Sequence, residues 1–192
     1  MQTTCAQALK NWEAANGTAA EEADYIKLYC QVPPIVKMDS SLNALRNCER
    51  LALSTNAIDR IIPLAGMSSL KILSLGRNQI KKIEKLDDVA STLEELWVSY
   101  NQINSLDGVN VLTNLAVLYI SNNLIKNWAE LDKLAGLPNL RDVLFVGNPI
   151  YDDMSREQAR IEVLKRIPQV AKIDGDMVKP AERELAAGTA EA

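Results

Sequence analysis

A chain of 192 residues, 47% of them hydrophobic, can build one continuous core but is too short for two comfortable domains. A formal net charge of −4, from 21 basic and 25 acidic residues, argues against a general polyphosphate or nucleic-acid binder, and the lack of histidine removes the commonest general base and metal ligand. Three cysteines, Cys5, Cys30 and Cys48, with no CxxC pair suggest neither a disulfide framework nor a zinc site, so a reducing compartment is expected.

Thr3 to Asn16 reads as a first helix, with Leu9 and Trp12 three apart and a stop at Asn16-Gly17. The start MQTTCAQALKNWE has no basic segment or apolar run, and no stretch approaches the length that spans a bilayer, so a soluble intracellular protein without membrane contact is expected. Thr18 with Glu21 has the spacing of a capping box, which predicts a second helix carrying Tyr25, Ile26, Leu28 and Tyr29 and ending at Pro33-Pro34. Residues 1–35 are thus expected to form a helical N-terminal cap. Residues 36–47 read as half a repeat with a degenerate strand, because Val36, Leu42 and Leu45 each lie 22 residues before Ile58, Leu64 and Met67.

From Cys48 to Ile150 one pattern, LxxLxLxxNxI, recurs five times: CERLALSTNAI, LKILSLGRNQI, LEELWVSYNQI, LAVLYISNNLI and LRDVLFVGNPI. Its asparagines, at 56, 78, 101, 123 and 148, step by 22, 23, 22 and 25 residues, the period of a leucine-rich repeat. Each spacing has a physical reason. Leu96 and Val98, two apart on a strand, point into a core while Glu95, Trp97 and Ser99 point out. Asn101 then carries donor and acceptor groups to the bend, and Ile103 and Leu106 return to the core. The extra residues of the longer steps fall in STLEEL and KLAGLPNL, on the convex side, and NWAELDKLAG (127–136) reads as a short helix with Trp128 turned to the core. Cys48 takes the place of Leu70, Leu93, Leu115 and Leu140 and reads as a small buried hydrophobe. The fold class is therefore α/β, a leucine-rich repeat solenoid with a short parallel β-sheet on one face, helices and turns on the other, and a helical cap at each end.

SREQARIEVLKRI (155–167) predicts a helix closed by Pro168. With QVAKIDG (169–175) it resembles the C-terminal cap of the intracellular leucine-rich repeat class that includes a protein phosphatase regulatory subunit. The cap, taken as 151–178, would cover the last strand's open edge. Residues 179–192 read as a tail with an amphipathic turn at AERELA (181–186) and a disordered end. A single domain, 1–192, is expected.

The outward positions of successive strands form a grid. Ile72, Trp97, Val117, Tyr119, Leu144 and Val146 make an apolar, aromatic field, with Arg77, Glu95, Tyr100 and Asp142 around it. Such a field on a soluble protein marks a partner site, and Trp, Tyr and Arg are the residues that interface hot spots favour. Arg156, Arg160, Met177 and Arg183, in and after the cap helix, are candidates for a secondary contact. Glu95 and Asp142 lie two strands apart with no histidine, nucleophile elbow or phosphate loop near them, so no catalytic, cofactor-binding or metal-binding residue is assigned and no enzyme is expected.

TTCAQALKNWE (3–13), YIKLYCQVPPIVKMD (25–39), TLEELWVSYNQI (92–103), YISNNLIKNWAEL (119–131) and LFVGNPI (144–150) together resemble the light chain 1 family, the leucine-rich repeat light chains of axonemal outer-arm dynein. The resemblance runs from the N-terminal to the C-terminal cap. It implies a non-catalytic subunit of the ciliary or flagellar axoneme, in the cytoskeleton and cytoplasm, that binds a dynein heavy chain and regulates how the motor holds its microtubule. The grid would be the heavy-chain face, with the microtubule-binding stalk tip favoured over the motor ring, and tubulin a second contact. The alternatives are a regulatory scaffold of a protein phosphatase and a spliceosomal-type repeat protein.

Overall fold

A computed structural model describes residues 2–188. The coils wind around one eight-stranded sheet in chain order. Its strands are β1 (Tyr25–Lys27), β2 (Arg50–Ala52), β3 (Ile72–Ser74), β4 (Glu95–Trp97), β5 (Val117–Tyr119), β6 (Asp142–Leu144), β7 (Lys172–Ile173) and β8 (Asp176–Met177). All neighbours are parallel except β7 and β8. The central residues Ile26, Leu51, Leu73, Leu96, Leu118, Val143 and Ile173 face inward and are buried. A single apolar core runs from Cys5 under α1 (Cys5–Asn16) to Ala186 on α3 (Pro180–Gly188). Cys48 is fully buried in its column of leucines, and burial pushes its thiol up to about 11, so it serves as an inert hydrophobe.

The asparagine ladder fastens each coil to the one before. Asn101 Oδ1 accepts from Ile80 N at 2.9 Å, and its Nδ2 donates to Leu75 O and Val98 O, both at 3.0 Å. Asn56, Asn78, Asn123 and Asn148 repeat the arrangement. The residue before each asparagine turns the chain through left-handed backbone: Thr55, Arg77, Tyr100 and Asn122 have φ between 53° and 58°. The turn before Asn148 carries Gly147 instead, at φ 81°, and a side chain there would have to displace the Asn122 amide. A Cβ at Gly147 would stand 2.4 Å from Asn122 Oδ1.

The longer steps leave the strand ladder in register and are absorbed on the convex side. There the segment Trp128–Leu134 is a 3₁₀ helix, whose three-residue turn fits the spacing of Trp128, Leu131 and Leu134, with Asn127 accepting from Ala129 N. Trp128 is partly buried and stacks on Tyr151, with the Arg166 guanidinium 5.3 Å from its ring centroid, so it joins the convex side to the C-terminal cap. Lys133 Nζ ties coils together by reaching Asp107 Oδ1 at 2.6 Å and Glu130 Oε2 at 2.7 Å.

Both ends depart from the sequence expectation. The first helix forms with Thr4 as its N-cap and Gly17 as its left-handed stop. No second helix follows. Residues 18–29 give one 3₁₀ turn, Ala20–Glu22, and then strand β1, because Ile26 and Leu28 alternate into the core as Leu51 and Leu53 do. The residues read as half a repeat thus complete a whole coil whose strand lies in the expected helical cap. Ile35, not Val36, matches Ile58, since each receives the downstream asparagine's carbonyl at its backbone N–H.

At the other end α2 (Arg156–Arg166) starts with a capping box between Ser155 and Gln158. Part of the expected tail is built into the fold. Pro180–Gly188 forms α3, packed on α2, with Glu182 Oε2 accepting from Lys179 N just before it. The expected disorder of the last residues, 189–192, lies outside the described residues.

Candidate functional site

Three-residue strands in strict register turn the sheet face into rows. One row runs Tyr25, Arg50, Ile72, Glu95, Val117, Asp142, Lys172, and the next Lys27, Ala52, Ser74, Trp97, Tyr119, Leu144. Neighbouring strands lie about 4.8 Å apart, so side chains along a row touch. Trp97 and Tyr119 stack with centroids 5.8 Å apart and planes 25° from parallel.

Each ring is also tied down at its polar end. Trp97 Nε1 donates to Glu95 Oε2 at 3.0 Å, and Tyr119 Oη donates to Asp142 Oδ2 at 2.9 Å. Burial, and then the bonded Asp142 carboxylate, push the Tyr119 hydroxyl up to about 12, so it remains a neutral donor at physiological pH. Lys172 Nζ, 3.4 Å from Asp142 Oδ2, closes this end of the face, while Asp142 Oδ1 is buried without a hydrogen bond. The two carboxylates hold aromatic rings. Among the described residues no cluster of His, Cys, Asp or Glu is placed to hold a metal ion.

All ten residues assigned from sequence lie on this side. Ile72, Glu95, Trp97, Val117, Tyr119, Asp142 and Leu144 are partly exposed on the strands. Arg77, Tyr100 and Val146 stand at the downstream rim, where Tyr100 is 47% and Val146 44% exposed. The Arg77 guanidinium lies 4.2 Å from the Tyr100 ring centroid. The rings, fixed in plane yet open on one side, need little ordering to receive a partner.

The secondary set fares differently. Arg160 is 6% exposed: it donates to Ile173 O and Met177 O and pairs with Glu182 through two nitrogens. Arg183 donates to Pro168 O and Val170 O, and Arg156 to Asp174 O with an ion pair to Asp176. All three satisfy carbonyls or carboxylates of the cap; Arg160 is buried by doing so, whereas Arg156 and Arg183 remain exposed. Met177 is 65% exposed on β8.

The helical reading of 18–29 concealed three outward residues. Tyr25, Lys27 and Tyr29 extend the face onto β1, and the alternation of Ile26 and Leu28 with them was the signal for a strand.

Against known proteins, residues 91–133 match the family model described as leucine-rich repeats in two copies. The chain is 54% identical over 188 residues to dynein axonemal light chain 1 of Chlamydomonas reinhardtii, covering 96% of this chain and 95% of that protein. It is 51% identical to the human protein of the same name over 183 residues, 95% of this chain and 96% of that one. Among solved structures, a leucine-rich repeat protein of Leptospira interrogans superposes with a TM-score of 0.63 at 21% identity, over 79% of this chain and 37% of that one, a likeness of fold alone.

Proposed function

The chain belongs to the dynein axonemal light chain 1 family, and from that membership we propose that it binds a dynein heavy chain through the sheet face and regulates the grip of the motor on its microtubule. It would work in the axoneme of a cilium or flagellum, as the names of its relatives imply. The observation that carries the reading is the stacked Trp97–Tyr119 pair, locked by Glu95 and Asp142 and bordered by Val117 and Leu144. Large rigid aromatics with an apolar surround are what partner hot spots favour.

The favoured heavy-chain element is the microtubule-binding stalk tip. A rigid wedge fixed beside that tip alters motor grip by steric and electrostatic means, without chemistry of its own, and tubulin is its second neighbour. Co-precipitation of the intact protein with isolated stalk-tip and motor-ring fragments tests the reading. Capture of the stalk tip supports it, capture of the ring alone moves the site, and capture of neither overturns it.

A further inference from the structure

The sheet face continues past the stacked aromatics onto β1, and there its relief changes. In the row that carries Trp97, the next two positions hold only Ser74 and Ala52 before Lys27 is reached. The small side chains leave a hollow of about 230 Å³ between Trp97 on one side and Tyr25 and Tyr29 on the other. At about 30 Å³ of liquid per water, it holds roughly eight waters, the space of one large side chain.

Its border is cationic. Lys27 Nζ and the Arg50 guanidinium both lie 4.8 Å from the centroid of the Tyr25 ring. Among the described residues neither is in an ion pair, whereas Lys71 beside β3 meets Glu49 at 3.0 Å. Two cations held over one ring, in a chain of net charge −4, form a local positive corner that an incoming carboxylate would neutralise.

We infer that this hollow is a socket for a heavy-chain segment presenting one large apolar or aromatic side chain with an Asp or Glu beside it. The apolar group fills the space over Ser74 and Ala52 against Trp97, and the carboxylate meets Arg50 and Lys27. The socket sets the register of the partner along the sheet, because a segment shifted by one strand would place its bulk on Trp97. This rests on the heavy-chain reading above and adds what the partner must carry.

The test titrates the intact protein with the stalk-tip fragment and follows each variant by circular dichroism. Ser74→Phe, which fills the hollow, is expected to weaken binding at least tenfold, while Ser74→Ala, which leaves it open, binds as wild type. Arg50→Glu, at an exposed position, is expected to weaken binding about tenfold and to flatten its salt dependence. Wild-type affinity in folded Ser74→Phe and Arg50→Glu, with binding lost in Trp97→Ala/Tyr119→Ala, would overturn the socket and leave the heavy-chain reading standing. A wild-type protein that binds no stalk-tip fragment would overturn both.

Discussion

Arginines on the C-terminal cap and on the sheet face are put to opposite uses. On the cap, Arg160 and Arg183 give their donors to backbone carbonyls at the end of the solenoid, where repeating coils no longer satisfy them. On the face, Arg50 and Arg77 lie over tyrosine rings, and among the described residues neither forms an ion pair. The Arg160 guanidinium, buried with every nitrogen hydrogen-bonded inside the fold, is structure. One that rests on a ring with its donors toward solvent is prepared for a partner.

The largest effect should come from breaking the cap's network. Arg160→Ala, or removal of residues 179–192, dismantles the Arg160–Glu182 pair and should cost about 3–5 kcal/mol, lowering the melting temperature by about 2–4 °C per kcal/mol. Unchanged melting would return this part of the chain to the status of a tail.

Next comes the ladder between the two regions. Asn101→Ala leaves Ile80 N without its acceptor and takes one donor from each of Leu75 O and Val98 O, which keep Asn78 Nδ2 and Asn123 Nδ2, and should cost roughly 1–3 kcal/mol. A variant as stable as wild type would remove that asparagine from the account.

The same pair predicts a pH dependence. The Arg160 guanidinium holds the Glu182 carboxyl down at about 2, against an ordinary value of 4.5. The folded value is the lower one, so the stabilisation is present above about 4.5 and is lost as pH falls towards 2. Melting followed through that window should show the loss, and Glu182→Gln should be less stable at neutral pH with a flatter acid slope. An identical slope in the variant would assign the acid sensitivity to other carboxylates.

The smallest effect on stability should come from the face. Arg77→Ala should shift stability by no more than about 0.5 kcal/mol, because the guanidinium is exposed and contributes only a ring contact. A larger loss would make the rim part of the scaffold and weaken the contrast with the cap.

How much of this was legible depended on whether a feature repeats. The asparagine ladder, the inward leucines and the outward Trp97 and Tyr119 recur at a fixed period, so spacing alone placed them. Strand β1 was hidden because Gln31 stands where later coils carry asparagine and Thr18 with Glu21 imitates a helix start. The cap arginines looked solvated because Arg160's partner lies 22 residues downstream, in a helix that no repeat announces. The hollow depends on β1 and was unreadable without it.

The central claim, that the sheet face binds the heavy chain, is tested most directly by the affinity of Trp97→Ala/Tyr119→Ala for the stalk-tip fragment, with circular dichroism on each variant. Both rings lie on the outward side, so the fold should survive, and the loss of two anchors should weaken binding by about 2 kcal/mol or more, roughly thirtyfold. Trp128→Ala is the control: it should lower stability by about 2–3 kcal/mol, because its ring joins the convex side to the cap. Wild-type affinity in a folded double variant would contradict the account and move the partner to another surface.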